Sequence, residues 1–333
     1  MRKYKKNVFT NNLAIKNFAE QNNLAKFLYK NYLRTKVNLT FRHLDLNKVK
    51  NSMGVNLNVL GIEFTNICDL RCKWCSLDHE GTIRKRGYME VSTLKKILDE
   101  VIKKENHVGH IALHHAGETT LHPKFEEMMN LIGSYKRKYK DFPFVSLLTN
   151  ANLLNERKSK IIIDSGAINW IKFSIDGGNK KDFEEMRSGA NWERVMKNVN
   201  YFLDINRNII GTAVFTLIKK EKNFTKEFRG LIKRVDEHKI NKPHNWAGDV
   251  KVPFMKFNKE SGGCWRIFKS MDILWDGSVT RCCADLNAQG KIGNLNHNTL
   301  KEIYTGRQRL YILEKMKQNK RSEINYCQNC SEL

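Results

Sequence analysis

The sequence predicts an α/β fold, a parallel sheet with helices packed on its outside. Three observations carry that expectation. From Val59 onward, short apolar or β-branched runs alternate with longer segments of helical periodicity. Punctuation falls between the runs, with Pro123 placed to start one helix and Gly166 placed to end another. The 333 residues suffice for one large catalytic domain with a smaller appendage.

In chain order, the expected strands are Val59–Thr65, His110–His114, Phe144–Thr149, Trp170–Ser174 and Ile209–Thr216, with a sixth inside 250–257. Helices are expected near 92–105, 123–139, 156–165, 192–206 and 223–238. Ahead of them, Phe9, Leu13, Phe18, Leu24, Leu28 and Tyr32 recur at roughly helical spacing, which predicts one or two amphipathic helices packed on the main domain. A membrane-surface role for their Lys-rich face is the other reading. Past residue 258 the rhythm changes. Ile273 to Thr280 reads as a β-hairpin turning at Asp276-Gly277, a helical stretch follows at 299–317, and the chain ends on a cysteine pair.

The net charge is +24, and residues 1–58 hold 12 lysines and arginines against Glu20 and Asp45, a balance of +10. An anionic partner is one reading of this excess. Solvated charge in a Lys- and Asn-rich chain is the one adopted, because no compact Arg and aromatic nucleic-acid motif accompanies it. No run of about eighteen apolar residues occurs, and no signal-peptide core opens the chain, so a cytoplasmic protein is expected. Without an export signal, the eight cysteines read as metal ligands or catalytic thiols rather than disulfides.

Cys68, Cys72 and Cys75 have the spacing C-x3-C-x2-C, directly after the first expected strand. That is the carboxyl end, where a barrel carries its chemistry. Three thiolates can hold three irons of a four-iron cluster and leave the fourth open, as a catalytic centre requires. A zinc site completed by His79 is the alternative from the residues alone. The segment Asn66-Ile67-Cys68-Asp69-Leu70-Arg71-Cys72-Lys73-Trp74-Cys75 resembles the cluster loop of the radical S-adenosylmethionine superfamily. The superfamily's later motifs follow in order at Ala116-Gly117-Glu118-Thr119, Leu148-Thr149-Asn150 and Ser174-Ile175-Asp176-Gly177.

The resemblance covers roughly residues 59–257 and implies a partial (β/α)6 TIM-like barrel. It further implies a 4Fe–4S cluster whose open iron binds S-adenosylmethionine, and cleavage of that cofactor to a 5′-deoxyadenosyl radical that abstracts hydrogen from substrate. Glu118 and the Gly117 backbone would hold the cofactor's amino group. Trp74 would lie near the adenine, and Thr149, Asn150, Ser174 and Asp176 would line the methionine and ribose. The chain departs from the family pattern at Ala116 (usually Gly), Thr119 (usually Pro) and Ala151 (usually Gly), which puts the pocket shape near residue 119 in question.

The last 70 residues hold Cys264, Cys282, Cys283, Cys327 and Cys330. The segment Trp275 to Cys282 together with Cys327-Gln328-Asn329-Cys330 resembles the SPASM/twitch extension of the same superfamily. The gaps of 18, 45 and 3 residues along Cys264, Cys282, Cys327 and Cys330 suit the twitch form with one auxiliary 4Fe–4S cluster. Four thiolates would complete that cluster's coordination and leave it to exchange electrons. A zinc site is again the alternative. Cys283 is left over, as a hydrogen-atom donor or as a buried small side chain. His114 and His115 are candidate bases, one of which the strand alternation should send behind the sheet. Asp78, His79, Glu80 and Asp285 lie near enough in sequence to be weighed with them.

The expected organisation is a basic helical extension over 1–58, the barrel over 59–257 and the twitch domain over 258–333. Within the resemblance, the nearest type is the twitch dehydrogenase of aminocyclitols, which oxidises an alcohol carbon and passes an electron to the auxiliary cluster. Its expected partners are a small-molecule substrate and a flavodoxin- or ferredoxin-type electron donor. A peptide maturase, a radical epimerase and a nucleic-acid-modifying enzyme are the alternatives. Two clusters predict about eight irons per chain after anaerobic reconstitution, falling to about four in a Cys68/Cys72/Cys75→Ala triple variant. Iron and sulfide analysis checks this, and zinc in place of iron would remove the cluster reading.

Overall fold

Polar and apolar residues alternate along the strands of this chain, and that alternation decides which face of the sheet meets the helices. The computed structural model describes residues 23–78, 84–217, 223–252 and 263–330. Its main sheet contains β1 (Val59–Ile62), β2 (His110–Leu113), β3 (Phe144–Thr149), β4 (Trp170–Ser174), β5 (Gly211–Leu217), β6 (Glu237–Asn241), β7 (Ser270–Ile273), β8 (Ser278–Thr280) and β9 (Lys291–Asn294). The order across the sheet is β6-β5-β4-β3-β2-β1-β7-β8-β9. Pairing is parallel from β6 through to β7, then antiparallel over the last two contacts. The neighbours of β1 are β2 and β7, so β6 does not close on it and the barrel stays open.

Leu60, Ile62, Ile111, Leu113, Val145, Leu147, Ile171, Phe173 and Val214 project from one face into the main core. Helices α3 (Val91–Val101), α4 (Phe125–Lys138), α5 (Glu156–Asp164), α6 (Lys180–Met186), α7 (Trp192–Asn206) and α8 (Lys226–Ile232) flank these strands. Their apolar stripes, such as Leu94, Ile97, Leu98 and Val101 of α3, join the same core. Side-chain caps set several starts: Asn155, Asn179, Asn191 and Thr225 each accept from a first-turn backbone N–H. The opposite, concave face sets polar side chains among apolar ones such as Leu148, Trp170 and Phe215. Glu63, His110, His114, Ser146 and Lys172 share the register of Gly61 and Ala112 on that side.

Most expected elements are present with shifted ends. β3 and β4 match their expected bounds, and the turn at Asp276-Gly277 joins β7 to β8. The sixth strand is the main correction. It is β6 at 237–241, which begins within the last two residues of the stretch expected to be helix, and α8 stops at Ile232. Its sequence, Glu-His-Lys-Ile-Asn, carries no apolar run because it is an edge strand, where charge blocks further pairing. Of the 250–257 stretch, 250–252 are not strand and 253–257 lie outside the described residues. Helix α6 was not expected. The stretch 299–317 divides at Gly306 into α10 (Leu300–Tyr304) and α11 (Arg307–Lys317), the first opened by a Thr299/Glu302 capping box. The C-terminal hairpin is also no separate sheet, because β7 lies parallel on β1 with Asp272 opposite Gly61.

The N-terminal stripe needs correction as well. Phe9, Leu13 and Phe18 lie outside the described residues. Asn23–Arg42 forms one helix, α1, but Leu28 and Tyr32 are exposed. The helix docks through its far end. Phe41 is buried, with its ring 5.7 Å from that of Phe268, and Leu44 follows it into the core. The Lys317 ammonium donates to the Leu44 carbonyl at 2.9 Å. Phe41→Ala should therefore cost about 3–5 kcal/mol, while Leu28→Ala stays within about 0.5 kcal/mol. Denaturant unfolding of both variants checks which end carries the packing.

Candidate active site

Three cysteines gather because their loop is tied at several points to the carboxyl ends of the strands. Asp69 accepts from the amides of Asn150 (2.9 Å) and Asn152 (2.7 Å), both just past β3. The Glu118 N–H donates to the Ile67 carbonyl at 2.9 Å. Gly117 has φ +74°, and a Cβ there would lie 2.4 Å from the Thr65 carbonyl oxygen, so only glycine lets the two loops touch. Arg71–Cys72 pairs antiparallel with Arg187–Ser188 at the end of α6.

Each of the three sulfurs also receives an N–H. Asn150 Nδ2 reaches Cys68 at 3.9 Å, Arg187 Nη1 reaches Cys72 at 3.9 Å, and the Leu77 backbone reaches Cys75 at 3.4 Å. Donors aimed at sulfur suit thiolates that ligate a metal centre. Burial first, then the charges of Glu118, Cys72 and Asp69, push the Cys68 thiol up to about 12. Ionising it therefore calls for a metal's positive charge. All eight cysteines are free of disulfides.

The second group forms at the other end of the chain. Cys282 lies within electrostatic reach of Cys283, Cys264 and Cys327, and Cys327 within reach of Cys264 and Cys330. Burial raises both Cys282 and Cys327, the latter to about 11, with Arg281 and Arg321 working against it. The Tyr326 hydroxyl fixes the terminal loop by donating to the Ala284 carbonyl at 2.7 Å. Cys283 stands apart in one respect: Arg266 Nη1 approaches its sulfur at 2.8 Å. The first set is three thiols on one loop, and the second is four thiols from three segments, with Cys327 and Cys330 on the same one; thiols are the donors that iron–sulfur clusters take.

The residues expected around the cofactor form a knot. The Glu118 carboxylate accepts from the hydroxyls of Thr149 and Thr120, both at 2.8 Å, and from the N–H groups of Asn150 (2.8 Å) and Thr120 (3.2 Å). Asp176 pairs with Arg187 at 2.7 Å and accepts from the Leu217 N–H. Ser174 ends β4 on the concave side. Trp74 is half-buried, its carbonyl held by the Trp246 indole N–H. The family departures are accommodated. Thr119 opens the short turn Thr119–Leu121, where Pro would stand at the first helical position, and Ala151 adopts φ +60°.

Both histidines face the concave side, which corrects the expectation that one packs behind the sheet. His115 has φ +139°, and this breaks the alternation. Its Nδ1 lies 3.0 Å from Glu63 Oε2, and its buried Nε2 has no hydrogen-bond partner among the described residues. Burial pulls His115 down, but the bond to Glu63 and that group's charge hold it above its usual value. His114 is depressed to about 3 by burial and by the basic groups His115, Lys172, His110 and Arg266 around it. Asp285 closes its own loop by accepting from the N–H groups of Gln289 and Gly290. His79, Glu80 and the side chain of Asp78 lie outside the described residues.

Several functional-looking groups were missed in the sequence. Arg187, Arg266 and Asp272 carried no motif signal. Glu63 did carry one, as a carboxylate inside an apolar strand. Its carboxylate takes a bidentate pair from Arg84 (2.9 and 2.6 Å), the His115 ring, the Ala116 N–H and the Trp275 N–H. Burial would raise Glu63, but Arg84 and His115 together hold it at about 2.

Residues 62–231 match the radical SAM superfamily, and residues 264–331 match SPASM, an iron–sulfur cluster-binding domain. The chain belongs to the radical SAM superfamily. The cofactors of this radical SAM enzyme are S-adenosylmethionine and 4Fe–4S clusters. Among curated relatives, it is 26% identical over 169 residues to a tungsten-containing aldehyde ferredoxin oxidoreductase cofactor-modifying protein of Pyrococcus furiosus, covering 50% of this chain and 45% of that one. It is 28% identical over 145 residues to a GTP 3′,8-cyclase of Alkaliphilus oremlandii, covering 43% and 42%. The chain thus spans less than half the length of these relatives. Among solved structures, BtrN in complex with AdoMet and 2-DOIA aligns with TM-score 0.60 at 14% identity, over 84% of this chain and 95% of that one. SuiB of Streptococcus suis bound to precursor peptide SuiA aligns with TM-score 0.65 at 16% identity, over 86% and 72%. No described helix is long and apolar enough to cross a membrane.

Removing one partner of the buried Glu63 cluster leaves the other charges unmet. Glu63→Gln should cost about 3–5 kcal/mol. Because its folded value is depressed, Glu63 stabilises the native state above pH 4.5, and that contribution is lost as pH falls towards 2. Unfolding midpoints between these limits should fall steeply in the native chain and more gently in Glu63→Gln.

Proposed function

We propose that this radical SAM enzyme oxidises an alcohol carbon of a small, polar sugar or cyclitol. The observation that carries the reading is a second cysteine group with four thiols beside a concave face that carries polar side chains. Cys264, Cys282, Cys327 and Cys330 would saturate an auxiliary cluster, which suits electron transfer rather than substrate binding. Cys68, Cys72 and Cys75 would hold the catalytic cluster and leave one iron open. When bound, S-adenosylmethionine supplies a carbon-centred radical, and the clusters supply an electron donor and an electron acceptor.

The chain's own residues bind, orient and shield. The Glu118–Thr149–Asn150 knot fixes the ends of β2 and β3 around the cofactor's amino group, with the Gly117 backbone in contact with the cluster loop. Asp176 and Ser174 form the ribose side, and Trp74 the adenine side. Arg187 sets a guanidinium between Asp176 and Cys72. His110, His114, Ser146 and Lys172 line the interior and suit hydroxyl groups better than apolar ones. His114, His115 and Cys283 are the candidates for contact with substrate. A flavodoxin- or ferredoxin-type protein would supply the reducing electron. The likeness to BtrN in complex with AdoMet and 2-DOIA, over 95% of that chain, supports a small substrate. The likeness to peptide-bound SuiB favours a second reading, maturation of a peptide.

The test is anaerobic incubation of reconstituted enzyme with S-adenosylmethionine, dithionite and a panel of C-deuterated inositols, inosamines and amino sugars. Deuterium should appear in 5′-deoxyadenosine, and the substrate should lose two hydrogen atoms as a ketone. A product isomeric with the substrate would replace oxidation by epimerisation. A panel without turnover, alongside turnover of a peptide, would select the maturase.

A further inference from the structure

Resting on the oxidation reading, we propose that Asp272 is the group that accepts the substrate's hydroxyl proton. Asp272 belongs to β7, the strand that the C-terminal unit lays beside β1. Its partner in register is Gly61, where a Cβ would come within 1.9 Å of Asp272 Oδ1. The missing side chain at position 61 is therefore what lets the carboxylate lie across the strand towards the concave interior. The residue keeps 2% of its surface, and no hydrogen bond among the described residues reaches its oxygens. Buried carboxylates ordinarily have partners, so one without any, beside the polar side chains of the interior, points to a partner absent from the polypeptide.

The groups facing Asp272 fit the role. Burial raises it to about 6, while His115 and Arg266 work against that rise and Glu63 and Asp285 support it. A base near neutrality accepts a proton well and can lose it again. The other candidates do not compete. His115 is already committed to Glu63, and His114, held near 3, is a poor acceptor. Once hydrogen has been abstracted from the carbinol carbon, the O–H bond breaks and its proton passes to the Asp272 carboxylate. The carbon–oxygen bond becomes a carbonyl, and the remaining electron leaves to a one-electron acceptor of the iron–sulfur class. Cationic Arg266, within electrostatic reach of Asp272, favours an oxygen that becomes anionic in this step.

The test compares holoenzyme with Asp272→Asn and Asp272→Glu, using C-deuterated scyllo-inosamine as probe. Ketone yield should fall at least about 100-fold in Asp272→Asn, the scale of a lost general base. Deuterium transfer into 5′-deoxyadenosine should fall far less, and Asp272→Glu should recover part of the ketone. Ketone formation in the native enzyme should rise with pH through about 6, as the carboxylate loses its proton, and this limb should be missing in Asp272→Asn. Independently of turnover, infrared spectra of 13C-aspartate-labelled holoenzyme should show a carboxylic acid band that vanishes over the same range, absent from Asp272→Asn. Gly61→Ala, which pushes the carboxylate aside, should reproduce the loss of ketone with iron content intact. Equal ketone yields from native enzyme and Asp272→Asn overturn the role of Asp272 and leave the oxidation reading standing. An isomeric product from the native enzyme removes both.

Discussion

Burying a carboxylate costs several kcal/mol unless its charge is met, and the charge of Glu63 is met from three separate segments of the chain. Arg84 comes from the loop beyond the cluster cysteines, His115 and Ala116 from the end of β2, and Trp275 from the C-terminal hairpin. Arg84 also reaches the Leu286 carbonyl, close to the second cysteine group. One side chain thus sets the spacing between the loop of the first cluster, the second strand end and the unit that holds the second cluster. Radical chemistry depends on such spacing, because the reacting group must meet substrate before solvent or protein does. A network this buried is costly wherever a member is unsatisfied, and among the described residues His115 Nε2 is such an orphan.

A second pattern runs through the concave face. Basic groups (Lys172, Arg266 and His115, the last raised by its bond to Glu63) stand among neutral His110 and His114 and the acids Glu63 and Asp272. Burial lowers Lys172 and both neutral histidines, so the interior limits its own charge. Glu63 is spent on structure, held at about 2, whereas Asp272 is left near 6. Two carboxylates within electrostatic reach of each other have been pushed apart by their surroundings, a common way for a fold to separate a structural acid from a reactive one.

How much of this was legible follows from the signals each feature leaves in the sequence. The strand-and-helix rhythm is a local property, and β3, β4 and α7 appear where the periodicity put them. The cysteine spacings and strand-end motifs are also local, and they carried the family. β6 was missed because an edge strand needs no apolar pattern, so its first two residues looked like the end of a helix and the rest like a loop. The burial of Phe41 rather than Tyr32 depends on what the far end of α1 meets, which no periodicity records. Glu63 left a trace, a charge in an apolar strand. Asp272 left none, because its meaning comes from lying opposite Gly61 in a strand pairing that links distant parts of the chain.

That pairing also sets an order of assembly. Val59 bonds in register with Ser270, so the first barrel strand emerges long before one of its two neighbours exists. At ribosomal speeds of about 5–20 residues per second, that interval is roughly 10–40 s. Through it, β1 presents an open edge, Gly61 is an uncovered notch, and Glu63 lacks its bond to Trp275. The nascent barrel is therefore a template with one slot vacant, and the strand that fills it brings its own cysteines along. A chain stopped before the hairpin would lose a wall of the barrel together with Cys282, Cys283, Cys327 and Cys330, so the two cysteine groups come together through a single folding event.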